Sequence, residues 1–111
     1  MNSPVRRAKL SARERSVRSR LTQVVATRWF LRGTLSARAG TCGKPTCRCA
    51  QGDLHPSLYL VQSQGGKLRQ LYVPAAWQAR AREAVAAYRE LQELIEAVSE
   101  AEWQRLQDRE G

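Results

Sequence analysis

The sequence predicts an α+β fold: a basic N-terminal helix, a small three-stranded antiparallel sheet with a cysteine-rich loop, and a long C-terminal helix. Three observations predict it. Apolar residues at helical spacing give way to strict alternation at Arg28, a Gly65-Gly66 pair splits two β-rich runs, and no Gly or Pro interrupts Ala75 to Glu110. At 111 residues the chain has room for one domain.

Residues 1–10 carry Pro4, Arg6, Arg7 and Lys9 and little to bury, which predicts a disordered basic arm. Residues 11–27 read as a basic amphipathic helix. Ser11-Ala12-Arg13-Glu14 has capping-box spacing, in which the Ser hydroxyl accepts from first-turn amides and Glu14 reaches back to the cap. Val17, Leu21 and Val24 follow at helical spacing, with arginines beside them.

Residues 28–73 read as the sheet with its Cys/His loop. Trp29, Leu31, Gly33, Leu35, Ala37 and Ala39 fall on one face of a first strand, and Arg28, Phe30, Arg32, Thr34, Ser36 and Arg38 on the other. Gly33 marks an expected bulge. Gly65-Gly66 predicts a hairpin in which Leu60 faces Leu71, Leu58 faces Val73 and Tyr59 faces Tyr72. Leu58, Leu60, Leu71 and Val73 then share the core side.

Residues 74–111 read as a long acidic helix packing on the sheet. Pro74 suits its first turn, and Ala81, Ala84, Tyr88, Leu91, Ile95 and Val98 repeat at steps of three and four. Glu102 and Arg105 break the repeat, so fraying is expected after Val98. The expected role of the stripe is to cover the sheet. A coiled-coil contact with a partner or a second copy is the alternative.

Charge is strongly segregated. The chain carries 19 Lys/Arg against 10 Asp/Glu, a net charge of +9 with pI near 10.5. Residues 1–40 hold +9, residues 41–73 hold +3 and residues 74–111 hold −3. Sixteen Arg against three Lys, with abundant Ala, fits a GC-rich coding sequence, so placement of the arginines is more informative than their number. A basic front end predicts contact with a polyanion. No apolar run reaches the ~18 to 20 residues of a membrane span. No apolar stretch follows the basic N-terminus, so no secretory signal is expected and the expected compartment is the cytoplasm.

All three cysteines and the only histidine lie within one segment, Cys42-Gly-Lys-Pro-Thr-Cys47-Arg-Cys49-Ala-Gln-Gly-Asp-Leu-His55. In a reducing compartment such thiols are free or bind metal. One structural zinc held by Cys42, Cys47, Cys49 and His55 is the expectation, because Cys3His is an accepted tetrahedral set. Gly43, Pro45 and Gly52 allow the turns that such a zinc-knuckle-like loop needs, and Lys44 and Arg48 offset thiolate charge. A redox-sensing thiol activated by the same two cations is the competing reading. Burial of the cysteines as small hydrophobes ill suits a polar loop, and a disulfide would leave an odd thiol.

The segments Arg32-Gly33-Thr34-Leu35, Cys42-Gly43-Lys44-Pro45-Thr46-Cys47-Arg48-Cys49-Ala50 with Gly52 and His55, Tyr72-Val73-Pro74 and Tyr88-Arg89-Glu90-Leu91 resemble a small prokaryotic family, the domain of unknown function number 6788. The resemblance runs from about Arg32 to Val98. It implies a shared fold and a shared metal site, and no activity. His55-Pro56-Ser57-Leu58 stands where the family has His-Gly-Pro-aromatic.

No enzyme is expected. The sequence has no Ser/His/Asp set, no paired loop carboxylates and no phosphate-cradling glycine motif, and a Cys3His zinc shell is closed. The leading expectation is a non-catalytic nucleic-acid-binding protein. Arg6, Arg7, Lys9, Arg13, Arg15, Arg18 and Arg20 would serve the arm and first helix, Arg28, Arg32 and Arg38 the strand, and Lys44 and Arg48 the loop. Exposed Trp29, Phe30, Tyr59 or Tyr72 would stack on bases. The alternative is a protein-interaction module or homodimer using the C-terminal helix and Trp103. A further variant pairs Glu83, Glu90, Glu93 and Glu96 with the basic first helix.

Overall fold

The structure, a computed structural model, describes residues 10–40 and 55–109. In chain order the elements are α1 (Ala12–Thr27), β1 (Thr34–Gly40), β2 (His55–Gln64), β3 (Lys67–Val73) and α2 (Ala75–Asp108). The three strands form one antiparallel sheet in the order β1-β2-β3. The expected α+β composition of two helices and a three-stranded sheet is therefore present. The described residues divide into two compact units, residues 31–86 and residues up to 30 with those from 87 onward.

In the first unit the hairpin has the expected register: Tyr59 pairs with Tyr72, Leu60 with Leu71 and Leu58 with Val73. The register is pinned by Gly65 and Gly66, whose φ angles of 60° and 82° lie where a side chain is strained and where a two-residue hairpin turn needs them. Pro56 cannot donate to a ladder, yet it lies in the central strand. It is tolerated because pairing with β3 begins only at Leu58, so Pro56 faces β1 alone.

The core of this unit is Leu58, Leu60, Val73, Ala81 and Val85, with Leu31 and Leu35 packed against it. Leu71 departs from expectation. It shares the face of Leu60 but is 65% exposed, and with Leu31, Leu60, Gln62 and Arg69 it lines an open groove. Alternation assigns a residue to a face; it does not say how far along that face the covering helix reaches.

β1 begins at Thr34, six residues after the alternating pattern begins at Arg28. The backbone N–H of Arg28 still donates to Val24 at the end of α1, and that of Leu31 donates to the Ala84 carbonyl at 2.9 Å. Residues 28–33 are thus an extended connector, tied at Arg28 to Val24 and at Leu31 to Ala84. Gly33 closes the connector and is not a bulge within a strand. Its φ is +153°, and an added Cβ would lie 2.8 Å from Leu60 Cδ1 and 3.0 Å from the Val61 carbonyl oxygen.

The other unit pairs α1 with the later turns of α2. Val24 is fully buried with Ala87 and Leu91, and Leu21 and Leu94 pack against them. α2 runs unbroken to Asp108 and does not fray after Val98. The reason is ionic. Arg105, which breaks the apolar repeat, donates to Glu14 at 2.7 Å and to Glu102 at 2.7 Å.

Ser11 caps α1 as expected, its hydroxyl accepting from the Glu14 N–H at 3.0 Å. The Glu14 carboxylate instead turns to Arg105 and Arg18. Among the described residues no helix is long and apolar enough to cross a membrane.

Candidate nucleic-acid interface

The expected metal ligands fall mostly outside the described residues: Cys42, Cys47 and Cys49 do, while His55 opens β2. Gly40 and His55 are direct partners in the β1–β2 ladder, so the sheet holds together the two ends of the segment that carries the cysteines. Joined ends lower the entropy cost of gathering ligands from within that segment. Among the described residues no group of three or more His, Cys, Asp or Glu side chains is placed to hold a metal.

Of the expected nucleic-acid contacts, Arg6, Arg7, Lys9, Lys44 and Arg48 also lie outside the described residues. On α1, Arg13 and Arg15 are exposed and Arg18 and Arg20 half-buried. Arg15 donates to the Leu10 carbonyl at 2.6 Å. Arg18 reaches Glu14 at 3.3 Å, and Arg20 grips Glu90 with two bonds of 2.6 and 3.1 Å. The pairing of helix arginines with C-terminal acids is thus real at Glu90. Glu14, the only acid of α1, has just 5% of its surface exposed, so the charge that α1 shows to solvent is positive.

The guanidinium of Arg105 beside Glu14 holds its carboxyl below the usual carboxylate range, with Arg18 adding to the effect and burial opposing it. Arg20 does the same for Glu90, with a smaller contribution from Arg28. These two carboxylates stay ionised at neutral pH and neutralise part of the basic helix from within the unit.

On the sheet, Arg32 is exposed and its carbonyl accepts from Gln62 Nε2 at 2.6 Å. Arg38, on β1, lies on the face opposite to Leu58 and Leu60, together with Ser36, Tyr59, Gln70 and Tyr72. Its guanidinium sits 4.4 Å from the Tyr59 ring centroid, and its Nη2 donates to Gln70 Oε1. Gln70 belongs to the far strand, so Arg38 spans the central strand across the ring of Tyr59. The Tyr59 and Tyr72 rings meet edge to face at 5.7 Å.

Charge on these strands has one sign. β1, β2 and β3 contain Arg38, Lys67 and Arg69 and no Asp or Glu. Of the other aromatics, Trp29 and Phe30 are 70% and 45% exposed in the connector, and Trp103 is 60% exposed on α2. Sequence reasoning missed Gln70. The hairpin register places Gln70 on the face of the two Tyr, but bringing Arg38 to it also needs the pairing of β1 with β2.

An antiparallel sheet in which Gly40 and His55 pair, and a helix presenting arginines, define a small basic α+β protein. The chain matches the family described as Domain of unknown function (DUF6788) over residues 7–83, and it belongs to that family. No curated protein and no solved structure gives a significant match.

Proposed function

We propose that the protein is a small, non-catalytic, zinc-stabilised nucleic-acid-binding protein. The observation that carries this reading is the charge that its surfaces present. The sheet strands hold three cations and no carboxylate, and α1 hides its single acid under Arg105 and Arg18 while Arg13 and Arg15 face solvent. Surfaces of this kind suit phosphate, which gives affinity without sequence choice.

Zinc, bound by Cys42, Cys47, Cys49 and His55, would supply a closed structural centre. The supporting observation is the Gly40–His55 pairing. The staple suits a unit whose core cluster, among the described residues, is as small as Leu58, Leu60, Val73, Ala81 and Val85.

The test is fluorescence polarisation with labelled DNA and RNA, duplex and single-stranded, at about 150 mM salt. The expected result is saturable binding, with log K falling linearly as log salt rises. Arg13→Gln with Arg15→Gln weakens binding to all sequences alike and makes the slope shallower. No binding to any DNA or RNA at that salt overturns the proposal.

A second reading is favoured by one observation. Ile95, Trp103 and Leu106 of α2 are each more than half exposed. They would seat a partner or a second copy of the chain, and sedimentation equilibrium distinguishes a dimer from the monomer.

A further inference from the structure

The core of the sheet unit takes up Leu58, Leu60 and Val73 and leaves the two paired tyrosines on the opposite face. Tyr72 is 54% exposed there, and Leu68, four residues away on the same face of β3 beyond Gln70, is 75% exposed. Burial is the usual fate of an aromatic side chain in a protein short of core. Here the rings instead form a short row with a planar cation. Tyr72 meets Tyr59 at 5.7 Å, and Tyr59 meets the Arg38 guanidinium at 4.4 Å. Gln70 ties down the end of Arg38, which limits its freedom to leave the sheet. No carboxylate occurs on any of the three strands.

These features match one class of ligand. Planar π surfaces and a planar cation attract other flat rings. Arg38, the one charged strand residue on this face, favours rings that carry negative charge between them, and no strand carboxylate opposes it. Unstacked bases joined by phosphates satisfy both requirements. A duplex does not, because its base faces are already covered by their own stack.

We infer that Arg38, Tyr59 and Tyr72 form a base-stacking subsite for single-stranded nucleic acid on the open face of the sheet. The inference rests on the nucleic-acid reading above and narrows it to a substrate class and a place. Tyr72 offers the more exposed ring, and Arg38 contributes a stacking plane as well as charge.

The experiment uses the full chain, a labelled single strand of about 12 nucleotides and a hairpin duplex of the same composition, at about 150 mM salt. The single strand is expected to bind more tightly than the duplex. Tyr72→Ala weakens the single strand about 5- to 100-fold and leaves the salt slope unchanged, because no phosphate contact is lost. Tyr72→Phe keeps the ring and binds like the original chain. Tyr72→Leu, which keeps apolar bulk on the strand, repeats the loss if the alanine variant unfolds. An iodouracil-substituted strand crosslinks on irradiation to the peptide containing Tyr59 or Tyr72.

Unaltered single-strand affinity in Tyr72→Leu, or crosslinks confined to other peptides, overturns the subsite and leaves general nucleic-acid binding standing. Failure of both oligonucleotides to bind overturns the two together.

Discussion

Gly33 shows how one residue can set the boundary of an element. Its backbone passes so close to Leu60 and Val61 that even a methyl group is excluded, and its φ of +153° adds strain for any other residue. Gly33→Ala is expected to cost about 1–3 kcal/mol, read as a lower denaturant midpoint with unchanged slope. An unchanged midpoint would mean that the connector relaxes away from Leu60. The same residue shows what alternation conceals. Residues 28–33 alternate as cleanly as a strand, but Arg28 remains tied to α1 and Leu31 to Ala84, so the ladder starts only where those anchors end. Leu71 makes the complementary point: its face was readable, its exposure was not.

Among the elements, the hairpin was the most legible, because Gly65-Gly66 fixes its length and a fixed turn fixes every cross-strand pair. α2 was legible as a helix but not in its packing. Its buried positions run Ala81 and Val85 against the sheet and then Ala87 and Leu91, with Leu94 partly buried, against α1. A single three-four stripe through Tyr88 and Ile95 misses that change, and Ile95 is 52% exposed. Nor does hydropathy reveal that Arg105 holds the far end of the helix to Glu14, since two polar residues far apart in sequence carry no shared pattern.

That pairing predicts the acid limb of stability. Glu14 and Glu90 have folded pKa values below their ordinary ones. Their contribution is therefore complete above the unfolded carboxylate value, about 4.3, and is lost as pH falls through the lower folded values. These two pairs alone should leave the thermal midpoint unchanged from neutrality to about pH 5 and lower it below about pH 4. Glu14→Gln should lower the midpoint at neutral pH and flatten that fall. An acid limb identical in the variant and the original chain would show that the Arg105 pair contributes nothing. Val24, fully buried between the helices, gives an apolar comparison: Val24→Ala should cost about 2 kcal/mol at all pH values.

The whole chain carries three features: a helix with purely cationic exposed charge, an acid-free sheet with an Arg–Tyr row, and a Cys/His segment whose flanking residues Gly40 and His55 pair in the sheet. The charge asymmetry and the cysteine cluster were legible in the sequence. The Arg38–Tyr59–Tyr72 row was not, because β1 and β2 are far apart in the chain and only their register brings the row together. Zinc binding predicts that a chelator lowers the thermal midpoint and that Cys47→Ser lowers it to a similar extent, with little further effect of chelator on the variant.

The most direct measurement is native mass spectrometry of the full chain, purified without chelator and mixed with a short single strand at near-physiological ionic strength. The expected spectrum shows a complex of one chain, one zinc ion and one oligonucleotide, with the metal absent in Cys47→Ser. A spectrum showing only the bare chain, with neither zinc nor oligonucleotide attached, would contradict it.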